Sequence, residues 1–247
     1  MKILSLFNRE TPVLTQSKIA RTLGLNMTST YRYITTLVEL GYLEKDTKTK
    51  EIRISILCLL FCTNLIRATD HLRMIKEVID RIHSENNISI EVAFAVDDTI
   101  VRIYNREAEE TLTYSLPDFF FFFLHNTALG KAYLSSLPDD LIFEKIDTMV
   151  LVAKTEKTIV DKDALVEELK KTKERQYSMS EEEYLPGLIA IGAPLFDPVN
   201  EKGVGAVSFD FSVLQHNAKD IKAKYGDMIK KTANSLSGLL PPDKNRM

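Results

Sequence analysis

14-LTQSKIARTLGLNMTSTYRYITTLVELGYLEKDTKTKEIRIS-55 is punctuated by Gly24, by Gly41 and by a charged run from Asp46 to Lys50. Thr15 is placed to cap a helix whose apolar face is Ile19, Ala20 and Leu23, and Gly24 stops it. After a very short turn, Asn26 or Thr28 caps a second helix. Its inward face is Thr30, Ile34, Leu37 and Val38, and Gly41 ends it. Tyr42 and Leu43 then lead into a hairpin with a charged tip, and Ile52 and Ile54 alternate on its return. Upstream, Ile3, Leu4, Leu6 and Phe7 recur at helical spacing until Glu10-Thr-Pro12 breaks the pattern. Helix, helix, tight turn, helix and charged hairpin is the order of a winged helix-turn-helix.

That order assigns chemistry to particular side chains. The recognition helix of such a motif lies in the major groove, with its first residues on base edges. Its exposed face here would be Thr28, Ser29, Arg32 and Thr35 or Thr36. The short hydroxyls suit base edges and thymine methyls, and Arg32 suits a phosphate or guanine. Ser17 and Lys18 would meet phosphates from the preceding helix. Lys48, Lys50 and Arg53 would add backbone or minor-groove contacts from the wing. The charge agrees: residues 1–60 carry a net +4 and the remainder a net −7. The expected partner is double-stranded operator DNA, and the alternative use of the same fold is protein interaction without DNA readout.

Residues 56–84 read as a linker helix, with a stripe of Leu72, Ile75, Ile79 and Ile82 free to pack on another copy. From residue 85 strands dominate. Ile88, Ile90, Val92, Phe94 and Val96 alternate with Ser89, Glu91, Ala93 and Ala95, Asp97-Asp98 turns the chain, and 99-TIVRIYN-105 returns. A helix opens near Thr127 and another follows Asp161. Strands 188–197 and 203–211 pair across a short loop, and a last helix runs from about Gln215 to Leu240. The fold class is α+β: a winged helix-turn-helix over 1–55, the linker helix over 56–84, and an antiparallel sheet flanked by helices over 85–247.

Several classes of function are excluded. No segment has the roughly 18 uncharged apolar residues of a membrane span, and the N-terminus lacks a signal pattern, so a cytoplasmic location is expected. Cys58 and Cys62 share a helix face with no His or Cys pair to complete a zinc site. His71, His83, His125 and His216 are scattered, none with a Ser or Cys partner in a nucleophile-elbow context, and no glycine loop cradles a phosphate. Neither catalysis, a metal nor a cofactor is expected.

The quoted run resembles the DNA-binding domain of the IclR family of transcriptional regulators. Two later blocks extend the resemblance over nearly the whole chain: 124-LHNTALGKAYLSSLPDD-140 and 174-ERQYSMSEEEYLPGLIAIGAPLFD-197. The resemblance implies a GAF-like effector domain, a repressor, and homodimers or homotetramers. It implies a small-molecule cleft at Thr127, Ala128, Leu129, Ser180, Ala190, Ser208 and Asp210, with the cleft reached by Phe122 from the run Phe119–Phe123. The alternation of the last strand agrees, since Val207, Phe209 and Phe211 face one way and Ser208, Asp210 and Ser212 the other. That polar row is either pocket lining or a solvent face. The Phe run either occludes the cleft or meets another subunit, or else it forms a wall for an aromatic ligand. Family members that bind small organic acids tend to have polar or reactive groups where Ser180 and Ala190 stand, and a small polar residue in place of Asp210. An acid there would repel a carboxylate, so a neutral, cationic or larger aromatic ligand, or none, is expected rather than a glyoxylate- or pyruvate-like acid.

Overall fold

The computed structural model describes residues 2–8, 11–60, 64, 68–109 and 121–241. They divide into two compact units, Met1–Asp70 and His71–Met247.

In the first unit, helices α1 (Gln16–Leu23) and α2 (Met27–Glu39) are built as their sequence dictates. The Thr15 hydroxyl accepts from the Lys18 amide, and the Asn26 side chain accepts from the Ser29 amide at 2.8 Å. Gly24 takes the left-handed conformation, φ 63°, and the Leu25 amide closes the α1 terminus on the Ala20 carbonyl at 2.9 Å. Strands β1 (Val13–Leu14), β2 (Leu43–Lys45) and β3 (Ile52–Ile54) form an antiparallel sheet in the order β1-β3-β2. The core is Ile3, Leu14, Ile19, Ile34, Leu43 and Ile52, each worth roughly 1.5–3 kcal/mol of apolar burial. Two features differ from expectation. Leu4–Leu6 is a single 3-10 turn rather than a helix, because Ile3 offers no cap and Phe7 is already extended. The two-residue β1 is too short to show an alternation.

The expected linker helix is not continuous. Residues 57–60 are helical, but Ala68 lies in a turn and Thr69 is not helical. Helix α3 starts afresh at Asp70–Asn86, and residues 61–63 and 65–67 lie outside the described set. Its stripe is used within the chain: Ile75 and Ile79 are fully buried in the core of the second unit, with Leu72 and Ile82 packed beside them.

The second unit holds one antiparallel sheet of strands β4 (Ser89–Val96), β5 (Thr99–Arg106), β6 (Phe121–Phe122), β7 (Ser178–Glu181), β8 (Leu188–Phe196) and β9 (Gly203–Ser212), in the order β6-β5-β4-β9-β8-β7. Helices α4 (Ala128–Ser135), α5 (Asp139–Thr148), α6 (Lys162–Arg175) and α7 (Ala218–Ser237) complete it. One sheet face presents Ile90, Val92, Ile191, Val207 and Phe209 to α3 and to the Ile221, Tyr225, Ile229 and Leu236 stripe of α7. The opposite face carries a second cluster, with Ala93, Ile100 and Ala206 under Leu129, Ala132 and Leu134 of α4, and Leu165 and Leu169 of α6. The sheet is therefore covered on both faces, and β4 is buried from Ser89 to Ala93 without regard to its alternation. β6 pairs Phe122 with Ile100 and Phe121 with Val101. Phe119, Phe120 and the side chains of Phe121 and Phe122 lie outside the described residues. Phe123 is 42% exposed, with the Lys154 ammonium 5.2 Å from its ring centre.

Candidate functional site

On α2, Thr28, Arg32 and Thr36 are exposed and spaced four apart, so they share one face. Arg32 has no hydrogen bond or ion pair among the described residues. Ser17 and Lys18 are exposed at the start of α1, and Ser29 is half-buried beside the Asn26 cap. Tyr31 and Tyr33, 52% and 54% exposed, stand on the same helix, and Lys45 at the base of the wing lies 5.6 Å from the Tyr31 ring centre. Sequence reasoning passed over both tyrosines, although neither falls on the apolar stripe and that alone could have flagged them. The wing tip is a folded turn. Asp46 accepts from the amides of Lys48 and Thr49 at 2.7 and 2.8 Å, which hold its carboxyl below the usual range, and Lys50 has φ 61°. Lys48 and Lys50 are exposed around that turn. Arg53 is exposed next to Glu51 at 3.2 Å, a contact weak enough for a phosphate to displace.

The second unit carries a polar cavity on the sheet face under α4. Strand register builds it. Ser180, Ala190, Asp210 and Ser89 are successive partners across β7, β8, β9 and β4, and Ser178, Gly192, Ser208 and Glu91 form the next rung. The opening of α4 rests on these rungs. Ser178 Oγ donates to the Ala128 carbonyl at 2.6 Å and Ser180 Oγ to the Asn126 carbonyl at 3.1 Å. Gly192 permits the approach, since a Cβ there would stand 2.8 Å from the Ala128 oxygen. Thr127 caps the helix by accepting from the Gly130 amide at 3.0 Å.

The resulting space has a volume of about 20 Å³ and is lined by Glu91, Thr127, Ala128, Leu129, Ser180, Tyr184, Leu188, Ala190, Ser208 and Asp210. The structure thus gathers Thr127, Ala128, Leu129, Ser180, Ala190, Ser208 and Asp210 around one cavity. Phe122's side chain lies outside the described residues. The polar row of β9 is not a solvent face, because Ser208, Asp210 and Ser212 are all buried. Glu91, Leu188 and Tyr184 were not anticipated as lining, although Glu91 was legible as a member of the polar set of its strand.

Electrostatics sets this cavity apart. Glu91 Oε1 accepts from Arg102 Nη1 at 2.6 Å, with both side chains buried. Burial pushes the Glu91 carboxyl up, and Arg102 pulls it back. Asp210 lacks such a partner. Burial first, and the Glu91 charge second, push it well above the usual carboxylate range, and Ser208 and Arg102 offset only part of this. Among the described residues Asp210 Oδ2 and Ser208 Oγ have no hydrogen-bond partner, although the hydroxyl is near enough to ease the acid slightly. A larger cleft, about 240 Å³, lies between α4, α6, α7 and β8. Its two lysines, Lys173 and Lys230, are already paired with Asp139 and Asp227, and it holds no unpartnered buried polar atom.

Beside the cavity, Lys131 of α4 and Glu183 are paired at 2.6 Å. His125 contacts the Val152 carbonyl through Nε2 at 3.1 Å, and burial keeps its ring below the usual imidazole range. Among the described residues no group of three His, Cys, Asp or Glu side chains could hold a metal ion, and no helix is long and apolar enough to cross a membrane. Cys58 donates its thiol to the Tyr42 carbonyl at 3.4 Å, and Cys62 lies outside the described set.

A winged helix-turn-helix followed by a GAF-like α+β unit with a buried polar cavity defines a DNA-binding transcriptional regulator. Residues 1–47 match the IclR helix-turn-helix domain, and residues 63–238 match the C-terminal domain of the bacterial transcriptional regulator IclR. The chain belongs to the IclR family. It is 25% identical to the HTH-type transcriptional regulator BhcR of Paracoccus denitrificans, over 94% of this chain and 82% of that protein. It is 22% identical to the transcriptional repressor IclR of Escherichia coli, over 90% and 81%. An IclR transcriptional regulator from Alicyclobacillus acidocaldarius shares its fold, with a TM-score of 0.78 at 18% identity over 96% of this chain and 95% of that one.

Proposed function

We propose that this regulator is a repressor that reads its operator with α2 and the wing, and that a small molecule in the cavity under α4 alters that reading. The observation that carries the DNA contact is the exposed Thr28, Arg32 and Thr36 face, with a guanidinium at its centre that is unpaired among the described residues. The repressor sense follows relatives such as the Escherichia coli protein. Operator sites read by two-fold copies of such a helix call for at least a homodimer, and a homotetramer would pair two of them. The cytoplasm is where such a protein meets DNA. We assign no catalytic role to the buried polar groups of the second unit.

DNase protection of the DNA upstream of the protein's own gene tests the first half. Arg32→Ala should lose protection with an unchanged melting midpoint, and retained protection would defeat the assignment of α2. A screen of small metabolites by melting midpoint and gel shift tests the second half. It should find a compound that raises the midpoint and changes operator affinity together. A screen in which no compound does both sinks the effector reading.

A further inference from the structure

We infer that the cavity takes its ligand through a positively charged nitrogen, a protonated amine on a small molecule, held between Asp210 and Ser208. This rests on the cavity being the effector site and names the chemistry that the site selects.

The unpartnered atoms come first. Asp210 and Ser208 are 4% and 1% exposed, both line the cavity, and Asp210 Oδ2 and Ser208 Oγ meet no hydrogen-bond partner. An acceptor carboxylate two residues from a hydroxyl on one strand face can share the N–H donors of an ammonium group. Buried polar atoms without partners are costly, so a donor that fills the gap gains the full value of contacts the free protein lacks.

Charge then decides the sign. The fully ionised site holds two carboxylates, Glu91 and Asp210, against the Arg102 guanidinium. The N-terminus of α4 adds about half a positive charge. The sum stays negative by about half a unit, so a cation neutralises it. A carboxylate ligand would instead need Asp210 to stay protonated, and would still face the Glu91 charge across a guanidinium that Glu91 already engages. The helix terminus alone would welcome an anion, but its half charge is smaller than the full charge of Asp210.

Size and wall agree. About 20 Å³ holds a group the size of one water molecule, which an ammonium head is. Tyr184 is the one lining residue that is half-buried rather than buried, so it marks the way in. Its ring offers a face that attracts cations and repels anions.

Burial first, and the Glu91 charge second, oppose ionisation of Asp210 in the free protein. The groups facing it are Ser208 on β9, Ser89 and Glu91 on β4, Arg102 on β5, Ser180 on β7, Tyr184 in the loop after β7, and the first turn of α4. Glu107, just past β5, acts on Glu91. An incoming ammonium displaces the Asp210 proton to solvent. Binding then strengthens with pH by up to about tenfold per unit, until Asp210 is ionised without help.

The test is the melting midpoint of the full chain with about 50 mM methylammonium chloride, sodium pyruvate or sodium chloride, at about pH 6 and about pH 8. Wild type and Asp210→Asn are compared. Methylammonium should raise the wild-type midpoint above the sodium chloride value, more at the higher pH, and the rise should vanish in Asp210→Asn. Absence of a methylammonium-specific rise in wild type overturns the inference, and so does an equal rise in Asp210→Asn. A rise with pyruvate instead makes the cavity an anion site and leaves the effector reading standing. That reading falls separately, only if the metabolite screen finds no compound that shifts midpoint and operator affinity together.

Discussion

Lys131 Nζ donates to Glu183 Oε1 at 2.6 Å, with the lysine side chain 1% and the glutamate 9% exposed. The contact joins the middle of α4 to the loop after β7, two segments fifty-two residues apart, and so fixes the roof of the cavity to its side wall. Glu183 Oε2 has no partner, and burial pushes this carboxyl up while the Lys131 charge pulls it back. Lys131→Met therefore leaves a buried acid without its cation. It should lower unfolding free energy in urea by about 3–5 kcal/mol, whereas Lys131→Met combined with Glu183→Leu should recover much of the loss. A double variant no more stable than Lys131→Met would show that the pair does not act as a unit.

Asp210→Asn should stabilise the free protein, in a pH-dependent way. The native-state affinity of Asp210 for its proton is raised, so the native state favours the protonated form. Above about pH 4 the unfolded chain ionises first, and wild type loses up to about 1.4 kcal/mol per pH unit until Asp210 itself ionises. Asparagine carries no such charge. The midpoint advantage of Asp210→Asn should be near zero at about pH 4 and grow toward neutrality. A constant advantage, or a deficit at neutral pH, would mean that Asp210 is ionised in the folded protein.

Local signals made the first unit legible. Thr15, Asn26 and Gly24 each act within four residues of their own position, and Ile19 and Ile34 recur at the helical period. The errors there are also local: Ile3, Leu4, Leu6 and Phe7 keep a helical spacing too short to sustain a helix without a cap, and the break at Ala68–Thr69 carries neither Gly nor Pro. The cavity was half legible. Ser208 and Asp210 show themselves by alternating with Val207 and Phe209. Whether that row was wet or buried depended on α4 lying over it, which no strand pattern encodes. Glu91 enters only through register, because it is the partner of Ser208 across β4 and β9. Tyr184 enters from a loop with no periodicity at all. β7 was missed for the same reason as β1: too few residues for its alternation, Ser178 and Ser180 against Met179, to stand out.

Gly130→Ala should be among the most damaging single-methyl changes in the chain. A Cβ at this position would stand 2.4 Å from the Leu124 carbonyl oxygen and 2.5 Å from its Cα. Those are backbone atoms of the segment that leads into α4, so no side chain can turn aside. The helix must lift from the segment, and the cap from Thr127 to Gly130 lies in the same turn. The expected cost is on the order of 3 kcal/mol in urea unfolding. A loss below about 1 kcal/mol would show that the turn slides without strain.

Base reading and phosphate attraction should separate on the DNA side. Lys48 and Lys50 are exposed on a turn that Asp46 holds in shape. If each neutralises one phosphate, Lys48→Ala and Lys50→Ala should each reduce the slope of log affinity against log salt by about 0.9. Both should weaken specific and nonspecific DNA alike. Arg32→Ala should behave differently if the guanidinium meets a base edge, losing about 1–3 kcal/mol of discrimination at one operator position. The measurement is gel-shift titration at several salt concentrations, on the operator and on a scrambled duplex. An Arg32→Ala protein that weakens both duplexes equally and loses salt slope would move Arg32 from base reader to phosphate contact. A Lys50→Ala protein with an unchanged slope would take the wing tip off the DNA.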